Sequence, residues 1–271
     1  MYPFFEPFPG VFIYTFWLTL SICFFVFLFL LYRNAKKFSY DFTFFTHNII
    51  WFFLSTFFFS RLFYVIANWY DQRFIWEKPL QFFIMSDFNF SLFGAIFGFL
   101  FVYYMLTRLE KRNFERYIDG SVIAFFGVLV IGFIWAFFGG QVYGRETTLW
   151  IEILYNMHTF SPIPFQVPIF PLPLIYALFS LFIGIWVYTL SLFVHIPGFI
   201  WYAGLLIFSA MVLILEFFSG KQDILSIHSF INFPQLCALI LALWAGYKFF
   251  SITKISRDTQ WENGTHIFHD V

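Results

Sequence analysis

Two ionisable side chains sit inside long apolar runs: Arg61 in the stretch SRLFYV and Glu216 in LILEFF. A charge at the centre of a bilayer costs about 2.5 to 3.5 kcal/mol on insertion scales, so such residues face a protein interior or a wet cavity. A guanidinium in that position can grip a phosphate through two parallel hydrogen bonds, and a carboxylate can orient it or handle a proton. Pairing of the two is expected, because each is expensive to bury alone. Tyr64 follows Arg61 by one helical turn and shares its face, which lets the phenol line the same cavity.

The segment from Asp119 to Arg145, DGSVIAFFGVLVIGFIWAFFGGQVYGR, holds a second set. It reads as a span followed at the interface by Gly139, Gly140, Gln141, Tyr143, Gly144 and Arg145. Glycines there let the backbone turn tightly or approach a head group, and Arg145 is placed to meet a lipid phosphate while snorkelling to the interface. Asp119 begins the span, where its carboxylate is expected to cap the free N–H groups of that same helix.

The elements that must position these groups are membrane spans. Hydrophobic residues make up 61% of 271 positions and charged ones 11%, against roughly 25% charged in an ordinary soluble domain. At 1.5 Å per residue, about 20 apolar residues cross the hydrocarbon. Spans are predicted at about 12–32, 43–66, 90–106, 120–138, 168–193, 197–217 and 231–250, which makes one all-α integral membrane domain over 1–271. The first run is too long for a signal-peptide core and has no basic residue before it, so it is expected to stay as a helix. The stretch 142–167 is expected to form a small cap between helices 4 and 5, and the polar tail 251–271 to hang loose.

Lysine and arginine set the expected orientation. Ten of them (Arg33, Lys36, Lys37, Arg108, Lys111, Arg112, Arg116, Lys248, Lys254 and Arg257) fall on one side, against Arg73, Lys78, Arg145 and Lys221 on the other. The basic side is expected to be cytoplasmic, with the N-terminus outside and the C-terminus inside. A net charge of zero and the lack of a basic cluster interleaved with aromatics give no reason to expect nucleic acid as a partner. Cys23 and Cys237 read as small apolar residues, and no Cys or His pair has ligand spacing, so neither a metal nor a cofactor is expected. The 49 phenylalanines are read as apolar filling, much of it lipid-facing.

In order along the chain, these segments resemble the prolipoprotein diacylglyceryl transferase family. Its signature, approximately G-R-x-G-N-F-x-N-G-E-x-x-G-R after a helix that begins with Asp, is met here by Gly132, Phe137, Gly140, Gly144 and Arg145, with Asp119 upstream at the family's distance. Ser60 to Val65 looks like G-R-x-G-Y-V and keeps Arg61 and Tyr64. Phe90 to Gly98 looks like M-S-F-H-G-G-L-I-G and keeps Ser91, Gly94 and Gly98. Leu215 to Phe218 looks like V-E-F-F-R and keeps Glu216, and Pro234-Gln235 falls at the family's Gly-Gln.

The departures are chemical. Phe133 replaces the signature arginine, Ala136 and Gly139 its asparagines and Gln141 its glutamate; Phe93 stands for histidine, Phe16 for tyrosine and Val212 for an arginine.

The resemblance implies transfer of the diacylglyceryl group of phosphatidylglycerol to a lipobox cysteine thiol, with loss of glycerol phosphate, in a bacterial inner membrane. It implies phosphatidylglycerol or another anionic phospholipid and a prolipoprotein signal peptide as partners. Substrate-binding residues would be Arg61, Tyr64, Gly140, Tyr143, Gly144 and Arg145, with Glu216 and Gln141 as catalytic candidates. An inactive lipid- or lipoprotein-binding relative is the alternative. A transporter or channel subunit is a third reading, and it would carry polar groups in several spans or broken helices in two related halves.

Overall fold

The computed structural model describes residues 4–8, 11–68, 82, 90–140, 142–148, 150–154, 167–220 and 231–266. Two short antiparallel strands, β1 (Phe4–Phe8) and β2 (Val11–Tyr14), lead directly into α1 (Thr15–Phe38). The first span therefore begins at Thr15 and not at 12, because Val11 to Tyr14 satisfy their backbone by pairing with β1. The second expected span divides into α2 (Thr43–His47) and α3 (Ile49–Ala67) at Asn48, whose amide donates to the Phe44 carbonyl and to Glu110 Oε1.

Next come α4 (Leu92–Leu109), α5 (Phe114–Gly139), α6 (Leu172–Phe193), α7 (Phe199–Leu215) with a 3₁₀ turn at Glu216–Phe218, and α8 (Phe233–His266). Among the described residues, seven helices are long and apolar enough to cross a membrane, and the chain is an all-α integral membrane protein. The last helix runs on to His266, where the sequence reading has a loose tail from 251. Hydropathy marks where the membrane stops, whereas the backbone bonds of a helix need no apolar side chains to continue.

The bundle is organised around α7. Buried residues make up 61% of its span, against 11% to 33% of the other six. Trp201, Tyr202, Leu205 and Phe208 are among its fully covered side chains. The helix is apolar all round, which is the pattern of an interior element. Helices α5, α6 and α8 pack against it, α1 lies along α5, and α3 pairs with α4. The phenylalanines serve both environments: Phe44, Phe45 and Phe52 interlock with Tyr103 in the core, while Phe25, Phe29 and Phe53 stand exposed on the outside.

Polar bonds tie the basic end together. Lys37 Nζ donates to Ser191 Oγ at 2.6 Å, linking α1 to α6. Arg112 lies 3.6 Å from both Asp41 and Glu110. Hydrogen bonding to Thr43, with Arg112 close by, holds the Asp41 carboxyl below the usual carboxylate range. Asp119 does not cap its own helix. Its Oδ2 accepts from Gly198 N at 2.6 Å and its Oδ1 from Trp201 N at 2.8 Å, so it caps α7 from α5. The reason is local: α5 already begins at Phe114 with Asn113 as its cap, which leaves Asp119 in the second turn and α7 with a glycine at its own cap.

Candidate active site

At the opposite end, Ser60 and Ser91 join α3 to α4. Ser91 N donates to the Ser60 carbonyl at 3.0 Å, and Ser60 Oγ donates to the Ser91 carbonyl at 2.8 Å. Gly94 and Gly98 then let the two helices touch backbone to backbone. A Cβ at Gly94 would meet the Phe59 carbonyl at 2.2 Å, and one at Gly98 would meet the Ser55 carbonyl at 2.5 Å. This is the small-xxx-small mode of helix packing in membranes. It fixes the helix that carries Arg61.

Arg61 is 4% exposed, its Nε donates to the Phe82 carbonyl at 3.3 Å, and its guanidinium lies 5.8 Å from the Tyr64 ring centroid. The shared face read from their spacing is therefore present. Phe63, two residues on, meets Phe233 at the start of α8. Gln235 in turn binds the end of α7, donating to the Leu213 carbonyl at 3.3 Å while accepting from Asn232 N. The Pro234-Gln235 position thus works as a brace between two helix ends.

Glu216 lies at the end of its span and not well inside it. The chain tightens to a 3₁₀ turn there, with Ser219 N donating to the Glu216 carbonyl at 3.1 Å. The Tyr176 hydroxyl of α6 donates to Glu216 Oε2 at 2.9 Å. The Tyr176 ring stacks on Phe133, with centroids 4.8 Å apart and planes at 14°. An apolar ring thus lies against the phenol that holds the carboxylate, at the position where the resemblance leads one to expect an arginine.

The stretch after α5 is bound to this turn. Gly140 ends α5 in the left-handed conformation, φ 64°, which glycine adopts without strain. Gln141 lies outside the described residues. Arg145 N donates to the Phe218 carbonyl at 2.8 Å, Gly220 N to the Tyr143 carbonyl at 3.0 Å, and Arg145 Nε to the Ser219 carbonyl at 3.0 Å. A Cβ at Gly144 would meet the Phe170 carbonyl at 2.2 Å, so only glycine fits. Phe170 N donates to the Arg145 carbonyl at 2.9 Å, and Ile153 exchanges backbone bonds with Ile169. The fifth span therefore starts at Leu172 and not at 168, since 167–170 serve as the edge of this small platform.

Sequence reasoning placed Tyr143, Gly144 and Arg145 together but missed their partners. Tyr176, Phe170 and Ser219 carry no motif. The one available signal is a phenol in the apolar run of α6, and that run holds two, Tyr176 and Tyr188. Gly132, although it matches the signature, has nothing within 4 Å of its Cβ position.

Over this whole arrangement, residues 4–250 match the family model described as prolipoprotein diacylglyceryl transferase. The chain belongs to that family. No curated relative matches it. As a family member with seven membrane-length helices among the described residues it is a multi-pass membrane protein, and the family's chemistry is diacylglyceryl transfer in lipoprotein biosynthesis.

Proposed function

We propose that this protein transfers the diacylglyceryl group of phosphatidylglycerol to the cysteine thiol of a prolipoprotein signal peptide in a bacterial inner membrane. The observation that supports the reading is that Arg145 is bonded to the turn that follows Glu216, through its N–H to the Phe218 carbonyl and its Nε to the Ser219 carbonyl, while the Tyr176 hydroxyl donates to the Glu216 carboxylate. In this reading the cysteine sulfur attacks the diacylglyceryl carbon, the carbon–oxygen bond to phosphate breaks, and glycerol phosphate leaves with the bonding pair. The thiol proton passes to Glu216, and Arg61 and Arg145 take the charge that grows on the phosphate. Tyr64, Tyr143 and the backbone at Gly140 and Gly144 shape the head-group site, and Gln141 serves as a further donor. Pairing of Arg61 with Glu216 in the resting state belongs to the same reading.

A second reading, an inactive relative that retains lipid or lipoprotein binding, is favoured by two observations. Phe133 fills the family arginine's place with a stacked ring, and Phe93, in place of histidine, is buried. Transfer of labelled diacylglyceryl from phosphatidylglycerol to a lipobox peptide decides between them. The transferase reading expects labelling that falls at least about 100-fold in Arg61→Ala and Glu216→Ala. Background labelling by the unmodified protein, with lipid still bound, is the result of the binding reading.

A further inference from the structure

A cavity of about 540 Å³ opens at the basic end of the bundle, away from the site above, among α4, α5, α7 and α8. Arg108, Arg112 and Lys248 line it, together with Glu115, Tyr202 and Trp244. Arg112 is shared with Asp41 and Glu110. Among the described residues, neither Arg108 nor Lys248 has a carboxylate within ion-pair distance. Arg108 rests against the ring of Tyr104, which leaves its N–H edges available.

A second observation points to a ligand. Tyr202 is 1% exposed and lines this cavity, yet among the described residues its hydroxyl has no hydrogen-bond partner. A phenol oxygen that opens onto a cavity is free to donate to whatever occupies it. Trp244 packs edge-on against the same ring and fixes its direction. Next to the cavity, Phe101 and Met105 on α4 and Leu243 and Tyr247 on α8 are exposed apolar side chains. Cations, a donor hydroxyl and flanking apolar side chains are the complement of a phosphate ester attached to acyl chains.

We infer that this cavity binds the phosphate of an anionic phospholipid from the leaflet at the basic end of the bundle. Arg108 and Lys248 neutralise the phosphodiester, Tyr202 donates to it, and the acyl chains run along α4 and α8. This site is separate from the proposed transfer site and does not depend on it.

Native mass spectrometry of the full chain in detergent tests the inference, with phosphatidylglycerol, phosphatidylcholine or inorganic phosphate added. The expected result is preferential retention of phosphatidylglycerol, weakened about tenfold or more in the Arg108→Gln, Lys248→Gln double variant. Tyr202→Phe keeps the packing and is expected to weaken retention less, which guards against a folding artefact. Retention is also read in the Arg61→Gln background, where lipid held at the proposed transfer site is weakened: a further loss on adding Arg108→Gln and Lys248→Gln belongs to this cavity, so a failure of the transfer-site reading is distinguishable. Inorganic phosphate that raises the melting temperature of the unmodified protein but not of the double variant, with no lipid retained, assigns the same site to a soluble phosphate. Equal retention by the unmodified and double-variant proteins, or equal retention of phosphatidylcholine, overturns the inference.

Discussion

Asp119 and Trp201, on different helices, meet at the start of α7: the carboxylate accepts the Trp201 N–H at 2.8 Å and the Gly198 N–H at 2.6 Å. One side chain thereby satisfies two of the four orphan donors at that helix end and opposes the positive pole of its dipole. The helix it secures is the most buried of the bundle.

Asp119→Ala is expected to cost about 2 to 3 kcal/mol, since two buried N–H groups lose their acceptor. Asp119→Asn keeps one acceptor oxygen and is expected to lose less. Thermal unfolding in detergent reads both. Equal melting temperatures for Asp119→Ala and the unmodified protein would contradict the cross-helix cap.

Gly94→Ala is expected to push α4 away from α3, because its Cβ would overlap the Phe59 carbonyl. Overpacking of this kind costs about 1 to 3 kcal/mol. Gly132→Ala, in open space, is the control and is expected to be neutral. The same thermal measurement compares them. Since α3 carries Arg61, transfer activity is expected to fall with Gly94→Ala and to persist with Gly132→Ala.

Arg145→Ala removes the bond to the Ser219 carbonyl together with a cation at the interface. Activity is expected to drop about 100-fold while the melting temperature changes little, the residue being exposed. Arg145→Lys keeps the charge but not the planar fork, and is expected to recover part of the rate at most. Full activity in Arg145→Ala would remove this residue from the phosphate site.

Phe133→Arg puts beside Tyr176 the residue that the signature resemblance leads one to expect there. A guanidinium stacks well on a phenol ring, so the change fits the space that the phenylalanine now occupies. Transfer of labelled diacylglyceryl is expected to rise about tenfold, as one lost donor is worth about 100- to 1000-fold in general. An unchanged rate would show that this position no longer faces the reacting phosphate.

The spans were legible because a bilayer imposes length and apolarity on every helix that crosses it, and all seven expected cores coincide with observed helices. Their ends were not, because ends are set by backbone bonding. Val11 to Tyr14 pair as a strand, 167–170 join a platform, and α8 continues past the apolar run. Arg61 and Tyr64 on one face followed from helical spacing alone. Asp119 was visible as a cap but was assigned to the wrong helix, since nothing in local sequence reveals which N-terminus lies opposite across the bundle. Tyr176 was invisible for the same reason: its role comes from the helix end that it meets.

The ladder of main-chain bonds that joins Tyr143 and Arg145 to Phe218 and Gly220 has a consequence for how this protein could tolerate so many phenylalanines. Peptide groups are common to all residues, so a scaffold tied at that level keeps its shape while the side chains around it drift in composition. The cation and the acid then travel together as one unit, whatever aromatic filling accumulates beside them.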